Sequence, residues 1–208
     1  MIIVNFKSYS LNYFFKVLKA IEEINQNYGK IVYFAVPSTF FYLKKDFFIA
    51  QDFFPEEGAY TGEITYKNLR YFDIKGSLLN HSEKQKKFNE LIKCLFLVDN
   101  DFLLTVCADS KESAISLHYI NEKLKKISYI AYEPPELIGS NISVSKAKPE
   151  IIKDLTKEID YLLVGAGIKT KEDVKKSLEL GAKGVLIASG VVKSDNPKNL
   201  LEEFVSLF

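Results

Sequence analysis

The apolar positions of this chain follow two alternating rhythms. Short runs rich in apolar residues occur at Ile2–Lys7, Ile31–Val36, Phe47–Gln51, Phe72–Gly76, Phe102–Ala108, Tyr129–Glu133, Tyr161–Gly165 and Gly184–Ala188. They are nearly continuous rather than alternating with polar residues, the pattern of parallel strands covered on both faces. Between them apolar residues recur at helical spacing. Leu11, Phe14, Phe15, Leu18, Ile21 and Ile24 form one stripe, Phe88, Leu91, Ile92 and Leu95 a second, and Val174, Leu178 and Leu180 a third.

Punctuation agrees with the rhythm. Thr170 and Asp173 have the spacing of a capping box, and Ser110 can open a helix that runs to Leu124. Gly29 and Gly181 suit helix stops, and Pro197 suits the first turn of the last helix. No Gly/Ser/Pro-rich linker divides the chain, so one domain over residues 1–208 is expected. Strands alternating with helices imply a parallel sheet with right-handed crossovers. Eight such units point to an α/β fold closed into a (β/α)8 barrel. An open doubly wound sheet is the alternative, and it leaves two of the runs unused. With 208 residues each unit has roughly 26, near the lower limit for such barrels.

Composition narrows the function classes. Lys plus Arg number 28 against 27 Asp plus Glu, a net charge of +1, which gives no reason to expect nucleic acid or an anionic membrane as partner. The N-terminus turns polar at Asn5, and the longest apolar runs, such as Cys94–Val98, are far short of the ~20 residues that span a bilayer. Cys94 and Cys107 are too few for a disulfide scaffold and suit a reducing cytoplasm. No His/Cys/Asp spacing suggests a metal site.

A barrel carries its chemistry at the carboxyl ends of its strands. Asn5 and Lys7 stand at the end of the first run, Asn80-His81-Ser82-Glu83 follow the fourth and lead into a helix, and Glu133 closes the sixth ahead of Pro134 and Pro135. A histidine at a helix N-terminus is biased toward neutral imidazole, which can donate to a substrate oxygen. A carboxylate ending an apolar strand is either salt-bridged, with Lys7 as the candidate partner, or raised in pKa toward that of a useful base. Small residues end the seventh and eighth runs, Gly165-Ala166-Gly167 and Ala188-Ser189-Gly190. Together they favour backbone binding of a phosphate there. Residues 134–148 form a long connection with the character of a lid. His118 has no companions and reads as structural, and Cys107 reads as core.

With these residues in place the chain resembles the triosephosphate isomerase family, in its short archaeal form. The resemblance runs in order along the chain through NFKSY at 5–9, GAYTGEI at 58–64, LNHSEKQ at 79–85, TVCA at 105–108, YEPPELIG at 132–139, VSKAKPE at 144–150, GAGI at 165–168 and GVLIASGV at 184–191. It implies a TIM barrel that interconverts dihydroxyacetone phosphate and glyceraldehyde 3-phosphate with neither cofactor nor metal. It further implies Glu133 as base, His81 as neutral electrophile, Lys7 as positive charge, Asn5 as orienting residue and Glu83 as supporting charge. Amides around Ile138, Gly139, Gly167, Ala188 and Ser189 would hold the phosphate under a lid formed by 134–145. Thr61 would reach toward a second subunit in a homodimer or homotetramer. One departure is visible: the lid carries Ser140 and Asn141 where the family has Thr and Gly.

Overall fold

A computed structural model describes Met1–Phe208. Eight strands, β1 (Ile2–Asn5), β2 (Val32–Val36), β3 (Phe48–Ala50), β4 (Gly76–Leu79), β5 (Leu103–Ala108), β6 (Tyr129–Tyr132), β7 (Leu162–Gly165) and β8 (Gly184–Ile187), pair in parallel with their sequence neighbours. β8 returns to β1, with Val4 opposite Ile187, and the barrel closes. Around it run α1 (Leu11–Tyr28), α2 (Tyr66–Tyr71), α3 (Phe88–Leu97), α4 (Lys111–Leu124), α5 (Val144–Ala147), α6 (Pro149–Glu158), α7 (Lys171–Glu179), α8 (Ser189–Val192) and α9 (Pro197–Val205).

The expected punctuation is present. Thr170 and Asp173 form a reciprocal capping box at α7, Ser110 caps α4, and Pro197 opens α9. Gly29 follows α1 at φ 78° and Gly181 follows α7 at φ 98°, both in the left-handed region that frees a chain from a helix. The fourth strand differs from expectation: it is Gly76–Leu79, not Phe72–Gly76. Phe72 and Asp73 form the turn after α2, with Asp73 at φ 57°. Lateral apolarity alone did not separate that turn from the strand.

The helical stripes are also narrower than their apolar residues suggest. In α1, Phe14, Val17, Leu18, Ile21 and Ile24 are buried, whereas Leu11 is 61% and Phe15 55% exposed; in α3, Phe88 is 65% exposed. A 3.6-residue period cannot turn all of these inward.

The core has two layers. A large cluster lies between sheet and helices, with Phe6, Phe14, Phe34, Phe40 and Phe48 packed ring on ring under the first three strands. A small cluster fills the barrel axis with one residue from each strand: Ile3, Ala35, Ile49, Leu78, Cys107, Ala131, Leu163 and Leu186. This apolar plug is the floor on which the polar strand ends stand.

Candidate active site

A cavity of about 480 Å³ opens at the carboxyl ends of the strands. It is lined by every residue that the sequence singled out as catalytic, supporting or phosphate-binding; Thr61 lies elsewhere, exposed in the loop between β3 and α2.

Asn5 is the last residue of β1, and Lys7 lies beyond the strand at φ 52°. The left-handed region costs a side-chain-bearing residue roughly 1–2 kcal/mol. It is held there by the Asn5 carboxamide oxygen, which accepts the Lys7 N–H at 3.0 Å, and by Gln51, whose Nε2 donates to Asn5 Oδ1 at 3.1 Å and to the Lys7 carbonyl at 3.0 Å. The two side chains share the cavity through this turn rather than through the alternation of a continuing strand. Lys7 Nζ lies 2.6 Å from Glu83 Oε1, so the carboxylate that pairs with this lysine is Glu83.

His81 is 6% exposed and precedes a three-residue 3-10 turn, Ser82–Lys84; the α-helix begins only at Phe88. Its Nδ1 accepts the backbone N–H of Glu83 at 3.1 Å. An acceptor nitrogen carries no proton, so the neutral ring has its hydrogen on Nε2. The pKa is lowered, first by burial and then by the Lys7 charge, with Glu83 opposing. Burial, more than a helix dipole, keeps this imidazole neutral.

Glu133 follows β6 and is 7% exposed. Its Oε2 lies 3.4 Å from His81 Nε2 and has no hydrogen-bond partner. Burial raises its pKa to about 7, against the lowering effects of Lys7 and of the Ala166 backbone N–H. Space for this carboxylate comes from Gly165, where a Cβ would occupy the position of the Glu133 side chain. The first glycine of the GAG run therefore serves the acid and not the phosphate, a division that composition could not reveal.

The opposite end of the cavity is made of small residues. Gly167 adopts φ 69°, and a Cβ there would collide with the Ile142 carbonyl of the 134–143 segment passing over it. Ala188 and Ser189 stand at the start of α8, whose first N–H groups have no partner within the helix. Ile138 donates its N–H to the Pro135 carbonyl at 3.1 Å, which leaves Gly139, at φ 77°, as the free-standing turn residue of that segment. The carboxyl side of the segment is fastened to β7 and α7: Val144 N–H donates to the Ala166 carbonyl at 3.1 Å, and Lys146 pairs with Asp173 at 2.7 Å.

Two residues, Gln51 and Lys169, were not anticipated, and Asn80 was noted only for its place before His81. Gln51 braces Lys7, as described. Asn80, at φ 59°, donates to the Cys107 carbonyl at 3.1 Å and accepts the Lys86 N–H at 3.0 Å, fixing the turn that presents His81. Lys169 lines the cavity just after the GAG run. Gln51 and Lys169 are ordinary polar residues near strand ends that the closed barrel brings to the site, whereas Asn80 is there as the chain neighbour of His81. His118 lies away from the site, with Nδ1 2.9 Å from the Tyr161 hydroxyl, and Cys107 is in the axial plug.

Residues 1–206 match the family model described as triosephosphate isomerase. The triosephosphate isomerase of Sulfurisphaera tokodaii is 38% identical over 219 aligned positions, covering 99% of this chain and 93% of that protein. That of Methanothermus fervidus is 35% identical, covering 99% and 97%. That of Thermoplasma volcanium is 44% identical over a shorter span, 71% of this chain and 70% of that protein. Among solved structures, a thiamine phosphate pyrophosphorylase from Pyrococcus furiosus superposes with a TM-score of 0.63 over 99% of this chain and 93% of that one, at 12% identity, a likeness of fold alone.

Proposed function

We propose how the residues divide the reaction from one established premise: this chain belongs to the triosephosphate isomerase family. Its reaction is the cofactor-independent interconversion of dihydroxyacetone phosphate and D-glyceraldehyde 3-phosphate, a step of glycolysis and gluconeogenesis.

Glu133 removes a proton from the carbon beside the substrate carbonyl, the electron pair moves onto the carbonyl oxygen, and the resulting enediolate is reprotonated by Glu133 on the neighbouring carbon. A carboxyl group with a pKa of about 7 is matched to taking and returning a proton near neutrality. His81 donates its Nε2–H to the oxygen that gains charge and passes protons between the two oxygens of the enediol. A neutral donor aimed in advance at developing charge stabilises it without reorganisation. Lys7 adds a full positive charge beside the enediolate, Asn5 holds the Lys7 turn, and Glu83 orients the lysine through their 2.6 Å contact. Gly139, Gly167, Ala188 and Ser189 hold the phosphate, with Ile138 supporting the turn, and the 134–145 segment covers it so that the enediolate is kept from water.

The observation that carries this reading is the pair at the cavity floor: an unpartnered, buried Glu133 oxygen 3.4 Å from the Nε2 of a neutral histidine. Nothing structural is gained by burying a lone carboxylate, so its position points to use. The test is a coupled assay on glyceraldehyde 3-phosphate with the wild type and Glu133→Asp. Turnover lowered by orders of magnitude in the variant, with inhibitor affinity retained, supports the base; wild-type-like turnover removes Glu133 from that role.

The same reading extends to assembly and location. The loop between β3 and α2 stands out with Thr61 exposed, braced within the subunit where Tyr60 and Lys93 both contact the Glu56 carboxylate. A second cavity of about 410 Å³ adjoins Asn5, Lys7 and Gln51. We place a second copy's Thr61 loop there, in a homodimer or homotetramer; sedimentation equilibrium tests it, and a monomer active at all concentrations would overturn it. No helix is long and apolar enough to cross a membrane, and the two unpaired cysteines favour the cytoplasm.

A further inference from the structure

The phosphate end of the cavity is built from backbone amides and small side chains, yet a phosphate ester carries a charge of about −1.5 to −2 near neutral pH. Two cations line the cavity, Lys7 and Lys169. Lys7, held by Glu83 at 2.6 Å, is the charge assigned above to the reacting end. Lys169 enters no ion pair, and its Nζ donates to the Asn141 side-chain oxygen at 2.7 Å.

The position of Lys169 is fixed on both sides. Its backbone N–H donates to Asp173 Oδ2 at 3.1 Å, and the next residue, Thr170, does the same at 3.0 Å. On the other side Gly190 approaches so closely that a Cβ would lie 3.1 Å from the Lys169 Cα. The side chain is half-buried and lies where the main cavity meets a shallower one of about 520 Å³, both lined by Gly139 and Ser189. Lys193 borders only the shallow cavity, exposed and 5.2 Å from the Tyr9 ring, so it is not a rival at the cradle itself.

An ammonium group has three N–H donors. Asn141 takes one and is uncharged, so it orients Lys169 without neutralising it. Two donors and the full charge remain for an anion beside Gly139 and Ser189. A hydrogen bond between ions is about twice as strong as a neutral one, which makes this the strongest single contact the phosphate end can offer.

We propose that Lys169 is a specificity-determining residue for the phosphate ester. It supplies the positive charge that the amide cradle lacks, and through Asn141 it links that charge to the segment covering the site. This rests on the reading that the phosphate lies at the Gly167–Ser189 end. A merely structural lysine would affect charged and uncharged substrates alike, whereas this role separates them.

The experiment compares kcat/KM for glyceraldehyde 3-phosphate with kcat/KM for phosphate-free glyceraldehyde, together with inhibition by inorganic phosphate. In Lys169→Met the ratio of the two constants is expected to drop about tenfold, as for loss of one charge-assisted contact, with inhibition by phosphate weakened in parallel. Lys169→Arg restores most of both. Asn141→Asp, which gives Lys169 a carboxylate to pair with, lowers the ratio in the same direction. If the wild type isomerises the ester and is inhibited by phosphate, while Lys169→Met and Asn141→Asp both stay within twofold, the role of Lys169 is overturned and the cradle reading stands. Equal loss on both substrates also overturns it. If inorganic phosphate fails to compete in the wild type, the cradle reading itself fails.

Discussion

At the reacting end of the cavity the protein spends charge and burial: Glu133, His81 and Lys7 are ionisable groups crowded above an apolar plug, and Glu133 has its pKa raised to about 7. At the phosphate end, the proposed Lys169 charge apart, the work falls to backbone shape, with Gly139 and Gly167 in left-handed conformations and Ala188 and Ser189 opening a short helix. The first end costs stability and yields chemistry. The second costs almost no desolvation, because amides at a helix start are already oriented toward the solvent that a phosphate replaces. Perturbing each end should therefore change different observables.

The largest effect is expected from Glu133→Gln, which keeps the shape and removes the base. Turnover should drop by at least about a thousandfold, within the range of a positioned general base, while the affinity for inorganic phosphate changes little. The same substitution should raise stability. In the folded state burial holds the Glu133 pKa at about 7, well above its ordinary value of 4.5, so the folded protein holds this proton more tightly than the unfolded chain. Burial is then free of this penalty below about pH 4.5, and the penalty grows with rising pH until it is complete above about pH 7, where it amounts to ~3 kcal/mol. Chemical denaturation at about pH 8 should show Glu133→Gln more stable by ~1–3 kcal/mol, and the gain should vanish near pH 4.5. A variant that loses both turnover and phosphate affinity would erase the division between the two ends.

The complementary perturbation is Gly167→Val. A side chain there meets the Ile142 carbonyl and must also adopt φ 69°, at a cost on the order of 1–3 kcal/mol. KM for the phosphate ester should rise tens-fold, by loss of about that much binding energy, with the pH dependence of turnover unchanged because Glu133 and His81 are untouched. Steady-state kinetics across pH would decide. A shifted pH profile would mean that the two ends are coupled through the Val144–Ala166 and Lys146–Asp173 links.

How far the sequence carried the reading follows the same line. That Glu133, His81, Lys7 and Asn5 would meet was legible because such side chains have few other reasons to stand at strand ends, and all four line one cavity. The barrel was legible from near-continuous apolar runs, except at β4, where the apolar Phe72 belongs to a turn. The phosphate end was legible only as composition. That Gly165 makes room for Glu133 while Gly167 makes room for Ile142 depends on which segment passes over each Cα, and this is set by tertiary packing. The roles of Gln51 and Asn80 were missed for a related reason: most of their partners are backbone atoms, such as the Lys7, Ala35 and Cys107 carbonyls and the Lys86 N–H, which carry no residue-specific signal.

A smaller effect is expected in the acid limb. In the proposed role Glu133 must be ionised, so kcat/KM, corrected for ionisation of the substrate phosphate, should fall below about pH 7 and approach a tenfold loss per unit at lower pH. His81 should add no second acid-limb step of its own near neutrality, because burial and Lys7 lower its pKa. In Gly167→Val the same limb should appear at the same position. A limb that moves in Gly167→Val would mean, as above, that the two ends are coupled, whereas a limb that persists unmoved in the residual activity of Glu133→Gln would reassign it to another group.

The smallest effect tests how the reacting end is held. Gln51 Nε2 donates to Asn5 Oδ1, the Lys7 carbonyl and the Ala35 carbonyl, at 3.1, 3.0 and 3.3 Å. It therefore bridges the first two strands at the residue whose φ is 52°. Gln51→Ala removes these bonds; Ala35 still accepts the Phe6 N–H at 2.9 Å and Asn5 Oδ1 the Lys7 N–H at 3.0 Å, so only the Lys7 carbonyl must find water from the adjoining cavity, which limits the penalty to ~1–2 kcal/mol of stability. Lys7 then relaxes toward ordinary backbone geometry and its ammonium drifts from the enediolate position. A displacement of that kind should lower kcat several-fold, by about the energy of a partly lost charge contact, with KM within twofold because the phosphate amides are on other strands. The kcat-to-KM split is the readout. A rise in KM without loss of kcat would place Lys7 at the phosphate rather than at the reacting carbons, and would move the boundary between the two ends of the cavity.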